Sequence, residues 1–349
     1  QGKTNNNYRS FNYTVVCSLI IIFIFAVSPK IVILKNSSMF QFVEVKNNSK
    51  TILENVLLNK NKEEKKEENK SVKNYQIFED IFEYEDIPTA TIRLSASTIR
   101  QIFEDTNYNL KDVRKNKLVK PVNLDHLPKE MKMIENTKKR KNLFIQIVLP
   151  LILEENNQIK LNRKKLFSIL NKNNNSEAEK KWLNMKFKQY GINNKDLSTL
   201  KIRMDEIPVS LAIAQAAKET GWGTSRFAQE GNALFGQWTW SGEGLKPKDA
   251  EKDEGHKVMK FNVLQASVRA YQRNLNTHST YKDFRKARAE FRDQKKPLDS
   301  IELSKYLSKY AETGNQYVEV LQKIINQNKL KDFDDAKLLP SSVDLESLI

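Results

Sequence analysis

Glu219 is the side chain whose type and setting best suit acid–base chemistry in this sequence. It closes the run LAIAQAAKET at 211–220, just ahead of Gly221-Trp222-Gly223, where two glycines let a helix stop and the backbone turn sharply. Its carboxyl therefore falls where a buried helix opens into a loop. Partial burial against apolar surface disfavours the charged form and lifts a glutamate toward neutrality, the condition a general acid needs near pH 7. At the end of an ordinary surface helix the same residue would be a solvated carboxylate. Trp222, Phe227, Phe235, Trp238 and Trp240 shift the reading toward a site, since three of the chain's four tryptophans crowd into the stretch after Glu219. Flat apolar faces beside a carboxyl suit a sugar ring, although such residues also build cores.

The element that must position Glu219 is a helix beginning at Pro208, in whose first turn a missing N–H does no harm. Asp205 and Glu206 stand at its positive end. Residues 211–217 are small and apolar almost all round, the pattern of a helix in the middle of an all-α domain. Around it the periodicity predicts a helix at 97–105 with Ser95 or Ser97 as cap, and a long one at 136–156 interrupted before Pro150. Further helices are predicted at 160–171, 177–190 with Ser176 as cap, 196–203, 263–291, and 300–329 broken at Thr313-Gly314. The long helix carries an apolar face of Phe144, Ile145, Ile147, Val148, Leu151 and Ile152. TATIRL at 89–94 reads as a short β-like piece, and VMKF at 258–261 as part of a β-hairpin.

Hydrolysis with a second carboxylate requires that group across the cleft, at about 5 Å for retention or about 6.5 to 9.5 Å for inversion. Glu243, Asp249, Glu251, Asp253 and Glu254, in the charged segment before KFNV, are the candidates. Tyr310 and Tyr317 flank the break at 313–314 and are placed to line the same groove.

The stretch AQAAKETGWGTSRFAQEGNALFGQW at 214–238 resembles the signature of bacterial peptidoglycan endo-β-N-acetylglucosaminidases with a FlgJ-like glucosaminidase domain. YQRNLNTHSTYKDFRKAR at 271–288, NLDHLPKEM at 123–131 and RKNLFIQIVLPLILEENNQI at 140–159 resemble the Bax-type members of that family. The resemblance extends over roughly two thirds of the chain. It implies a lysozyme-like helical catalytic domain with a small β-hairpin, and hydrolysis of the β-1,4 bond after N-acetylglucosamine. It also implies Glu219 as acid, Glu254 as the second acidic position with Glu251 next, and Tyr281 as the tyrosine that orients the acetamido group or steadies the developing cation. Asn274, Asn276 and Arg269 are neighbours that would shape the cleft, and Trp222, Trp238, Trp240 and Tyr310 would bind substrate. A lytic transglycosylase, which needs one acid/base, and a wall-binding protein without catalysis are the alternatives.

The rest of the chain says where such a domain would work. An apolar run at 13–27, extended to Leu34 after Ser28-Pro29-Lys30, lies between the length of a signal-peptide core and that of a membrane span. We read it as an uncleaved inner-membrane anchor with the chain on the periplasmic face, so 1–34 is the anchor region. Residues 35–76, rich in Lys, Glu and Asn, cannot bury a core and read as a disordered tether. Residues 77–129 form a small accessory region, 130–330 the catalytic domain and 331–349 a mobile tail. The net charge of +16 points to an acidic partner, and the N-terminal apolar run favours an anionic wall polymer over nucleic acid. Cys17 is the single cysteine, His126, His256 and His278 are scattered, and there is neither an HExxH nor a glycine-rich phosphate loop. No metal or cofactor is expected.

Overall fold

The structure is a computed structural model that describes residues 91–239, 244–246 and 257–340. The chain divides into two units, Gln1–Lys66 and Glu67–Ile349, and every described residue lies in the second. The anchor region and tether expected at 1–76 lie outside the described residues. Among the described residues no helix is long and apolar enough to cross a membrane.

Among the described residues the fold is mainly helical with two small sheets. In chain order come α1 (Ala96–Asp105), α2 (Leu110–Asn116), β1 (Leu118–Val119), α3 (Thr137–Leu170), α4 (Glu177–Gln189), α5 (Leu197–Arg203) and α6 (Val209–Thr220). They are followed by α7 (Arg226–Gly231), β2 (Trp238–Thr239), β3 (Gly244–Leu245), β4 (Lys257–Met259), α8 (Leu264–Thr277) and α9 (Lys282–Asp293), then α10 (Ser300–Ser304), α11 (Asn315–Gln327) and β5 (Lys337–Leu338). Side chains end the helices where the sequence placed them. Ser95 caps α1, Asp196 caps α5, and Ser176 with Glu179 forms a capping box on α4.

α6 is the buried axis. Every residue from Val209 to Ala217 is buried, and the helix packs on α3, α10, α11 and the 3-10 turn Leu330–Phe333. Its start is satisfied from afar, because Asp334 accepts hydrogen bonds from both the Ser210 N–H and hydroxyl at 2.8 Å. Its end is local: Gly221 takes the left-handed conformation, φ +55°, and Trp222 N–H reaches back to the Ala217 carbonyl at 3.0 Å.

α3 corrects the expected interruption at Pro150 and the separate helix at 160–171, for it runs unbroken over 34 residues. Proline at 150 cannot donate to the Gln146 carbonyl one turn back, and the buried Tyr108 hydroxyl donates there instead at 3.1 Å. Gln146 returns the contact, its amide donating to the Tyr108 carbonyl at 2.8 Å. The polar EENN run at 154–157 is partly a clasp. Glu155 pairs with Arg269 at 2.9 Å, and Asn156 exchanges hydrogen bonds with the Ile207 backbone while accepting from Gln272. Tyr108→Phe should therefore destabilise the fold by about 1–3 kcal/mol, the cost of leaving the Gln146 carbonyl buried without a donor. A fall in the urea midpoint at constant m would show it; an unchanged midpoint would refute this account of Pro150.

Four further expectations change. The segment from Thr91 to Leu94 pairs with no strand among the described residues; it is tied down by Arg93 to the Gln229 carbonyl at 2.6 Å and by Thr91 to His126 at 2.8 Å. The hairpin is a three-stranded antiparallel sheet in the order β2-β4-β3. β4 is flanked on both sides because Gly244 has no side chain; a Cβ there would stand 2.6 Å from that of Lys257. The tail does not drift free at 331. β5 pairs in parallel with β1, and Arg114 donates to the carbonyls of Asn328 and Lys329 and to Asp332. The part of the 77–129 region that is described joins the main core through Ile99, Phe103, Tyr108, Val113, Val119 and Leu127, so it is no separate layer.

Asp205 and Glu206 serve the core more than the start of α6. Asp205, buried in the turn before that helix, pairs with Arg292 at 2.9 Å and faces Arg288 and Arg163 at 3.9 and 3.8 Å. Glu206 pairs with Lys160 and Arg292.

Candidate active site

Glu219 stands in the last turn of α6, half-buried, with Tyr317 of α11 and Gly236 beside it. Burial pushes its carboxyl above the usual carboxylate range, against the opposing hydrogen bond from Tyr317 and the charge of Lys218. Gly236 lies on its other side. With φ +61°, a Cβ at this glycine would stand 3.1 Å from the Glu219 Oε2, so only the bare backbone approaches this closely without strain.

The approach of 234–236 is set by three contacts. Leu234 N–H donates to Ser267 on α8 at 3.0 Å, the Phe235 ring stacks on Tyr271 with centroids 3.8 Å apart, and Tyr310 donates to the Phe235 carbonyl at 2.9 Å. Tyr310 was expected to bind substrate, and the structure gives its hydroxyl this backbone partner. Its ring stacks on Tyr317 at 5.5 Å and lies 6.0 Å from Tyr281, which in turn lies 5.9 Å from His278. The tyrosines thus form a row beside the carboxyl.

Tyr281 is buried at the end of the 3-10 turn before α9. Burial raises its phenol to about 12, with the Asn274 hydrogen bond opposing and the Glu219 charge reinforcing the rise. At neutral pH it is a hydrogen-bonding phenol that senses Glu219. Of the three neighbours expected to shape the cleft, Asn274 joins this row. Asn276 donates to the Asp205 carbonyl and Arg269 pairs with Glu155, so both contacts serve the core. Trp222, in the left-handed region at φ +61°, sets its ring edge-on to Phe144 at 5.9 Å under the Lys141 ammonium. Its indole helps pack the end of α6 on α3. Trp238 opens β2 and is 48% exposed. Trp240, Glu254 and the other candidate carboxylates Glu243, Asp249, Glu251 and Asp253 lie outside the described residues. Among the described residues no group of three His, Cys, Asp or Glu side chains could hold a metal.

Two residues of the site escaped the sequence. Gln215 and Tyr271 are fully buried and joined, the Tyr271 hydroxyl donating to Gln215 Oε1 at 2.7 Å. The signal that could have found Gln215 is a lone amide in an all-apolar helix, one turn before Glu219 and on the same face.

The family model described as mannosyl-glycoprotein endo-beta-N-acetylglucosaminidase matches 197–330. Protein bax of Escherichia coli (strain K12) is 33% identical over 196 residues, which cover 54% of this chain and 70% of that protein. The chain belongs to the Bax-type glucosaminidase family. The catalytic domain of the autolysin Auto from Listeria monocytogenes is a distant structural likeness, with a TM-score of 0.30 and 20% identity over 50% of this chain and 97% of that one. The glucosaminidase match takes in α5 through α11, and with them Glu219, Tyr281, Tyr310 and Tyr317; α3 lies before it, and Asp334 and β5 after it.

Proposed function

We propose that this chain is a peptidoglycan hydrolase that cleaves the β-1,4 bond after N-acetylglucosamine, with Glu219 as general acid. The observation that carries the reading is a half-buried carboxyl with a raised pKa, held between the Tyr317 hydroxyl and the Gly236 backbone. The family description, an endo-beta-N-acetylglucosaminidase, supports the bond, while the sequence resemblance and the charge of +16 support an anionic wall polymer as substrate. Glu219 protonates the glycosidic oxygen as the C1–O bond breaks, and positive charge builds on the ring carbon and ring oxygen. A water supplies the new bond at C1. Either it attacks directly and gives its proton to Glu254 as base, or Glu254 or the substrate's own acetamide first bonds to C1 and the water then displaces it, returning a proton to Glu219. Tyr281 assists, and Trp238 and Trp240 offer faces to the sugars. The domain is lysozyme-like in this reading. It works on the periplasmic face, anchored through 1–34, and membrane fractionation with and without that segment tests the location.

Mass spectrometry of fragments released from purified sacculi by the full chain tests the chemistry. Reducing N-acetylglucosamine ends support the proposal. Anhydro-muramic ends would make the enzyme a lytic transglycosylase, and sedimentation with sacculi without release would leave a wall-binding protein.

Gly236→Ala probes the geometry. The methyl would strain a left-handed residue by about 1–2 kcal/mol. It would also crowd the carboxyl, and a small displacement there should slow release by about tenfold to 10²-fold. Thermal unfolding and initial rates read the two effects separately; a rate like that of the wild type would show that the carboxyl tolerates displacement.

A further inference from the structure

We propose that Gln215 is a positioning residue for Glu219: it makes the Tyr317 hydroxyl a one-way donor to the carboxyl and so confines the acidic proton to the oxygen turned away from Tyr317. The inference rests on the reading of Glu219 as the acid.

The chain of contacts is Tyr271, Gln215, Tyr317, Glu219. Tyr271 O–H donates to Gln215 Oε1 at 2.7 Å, Gln215 Nε2–H donates to the Tyr317 oxygen at 3.1 Å, and Tyr317 hydrogen-bonds the Glu219 carboxyl. Tyr271 and Gln215 are fully buried and Tyr317 is 1% exposed, so bulk water offers none of them an alternative partner. An ionised carboxylate only accepts, so Tyr317 must donate to it; its oxygen is then left to accept from an amide N–H, and the amide oxygen must accept from Tyr271. Reversing the sequence would flip the amide and turn the Tyr271 proton away from Gln215 Oε1, where no other partner is found among the described residues. The direction therefore persists when Glu219 is protonated. Because Tyr317 still points its proton at one carboxyl oxygen, the acidic proton occupies the other.

Hydrogen bonds in such a series also polarise one another, so the amide strengthens the donation by Tyr317. Among the described residues, the titratable and charged groups acting on Glu219 are Lys218 from α6, Tyr317 from α11, Tyr281 from the turn before α9 and Tyr310 from the turn before α11. None of these donates to Gln215, so a change at Gln215 reaches Glu219 through Tyr317. A substitution that removes the amide weakens a bond favouring the charged carboxylate, which raises the pKa of the acid.

The test is a double-mutant cycle in the full chain, read as kcat, KM and the pH profile of kcat/KM for fragment release. Gln215→Met should lower kcat by about tenfold and leave KM within about twofold, while the alkaline limb moves to higher pH. Tyr317→Phe should move the limb the same way, and adding Gln215→Met to it should cost almost nothing more. Tyr271→Phe, which keeps the packing and frees the amide to flip, should reproduce part of the Gln215→Met effect and keeps the test open if that variant folds poorly. Equal costs of Gln215→Met with and without Tyr317, or an unmoved alkaline limb in folded Gln215→Met and Tyr271→Phe, overturn the inference. Glu219→Gln run in parallel separates the two claims. If it stays active, the acid assignment fails and this inference with it; if it is inactive while the Gln215 limb is unmoved, only this inference fails.

Discussion

Glu219→Gln slows the release of reducing-end fragments from sacculi by about 10³-fold or more, because the amide has no proton to give the leaving oxygen. The pH dependence of the parent enzyme carries the same signature. Burial raises the carboxyl's pKa, so the acid form, and with it activity, extends above the ordinary carboxylate range and is lost as pH rises through the raised value. Stability moves the same way. A carboxyl with a raised folded pKa binds its proton more tightly in the native state, so the native fold loses stability as pH climbs and the buried group ionises. The neutral amide avoids that loss. Glu219→Gln should therefore unfold at a temperature no lower than the wild type at neutral pH, and the difference between the two should shrink as pH falls below the ordinary carboxylate range. A variant that is both inactive and much less stable at neutral pH would show that Glu219 holds the fold together.

The largest effect on stability belongs to Asp205. Its burial opposes ionisation, yet the guanidiniums of Arg288, Arg292 and Arg163 hold its pKa below the usual range. Arg288, fully buried, also donates to the carbonyls of Ile202, Asp205 and Glu206, which joins α9 to the chain entering α6. Asp205→Ala leaves that guanidinium without its buried counter-charge and should cost about 3–5 kcal/mol. Because the Asp205 pKa is depressed by folding, its contribution is present above the ordinary carboxylate range and disappears as pH falls through the lowered value. Urea unfolding at neutral and acidic pH checks both points. The gap between variant and parent should be wide at pH 7 and narrow in acid; a small gap at pH 7 would mean that the arginines are neutralised by other groups.

What the sequence made legible follows from how local each signal is. Pro208, Gly221 and the small apolar residues between them define α6 within one segment, so the end of the helix and the placing of Glu219 could be read directly. Ser95, Ser176 and Asp196 announced their helices because a cap acts within three residues of itself. Pro150 misled because its remedy is the Tyr108 hydroxyl, 38 residues away from the rescued Gln146 carbonyl. The helix end expected at 156 failed for a similar reason, since the polar residues there find buried partners on α8 and at Ile207. Gln215 was hidden because an amide's role depends on two tyrosines that the fold brings from 271 and 317. The tail was misread because β1 and β5 are two-residue strands, too short to stand out by alternation.

The link between Ser210 and Asp334 has a consequence for how the molecule is assembled. The start of the helix that carries Glu219 is completed by a residue 124 positions downstream, just past the 3-10 turn packed against that helix and just before the strand paired with β1. Synthesis of 197–330 alone would yield the catalytic side chains without the closing carboxylate. A chain emerging from the ribosome therefore carries its acid long before it can lock that acid in place, and the site is complete only once the segment after 330 has docked. A peptide spanning 328–340, added to a chain stopped at 327, should restore activity that the shortened chain lacks.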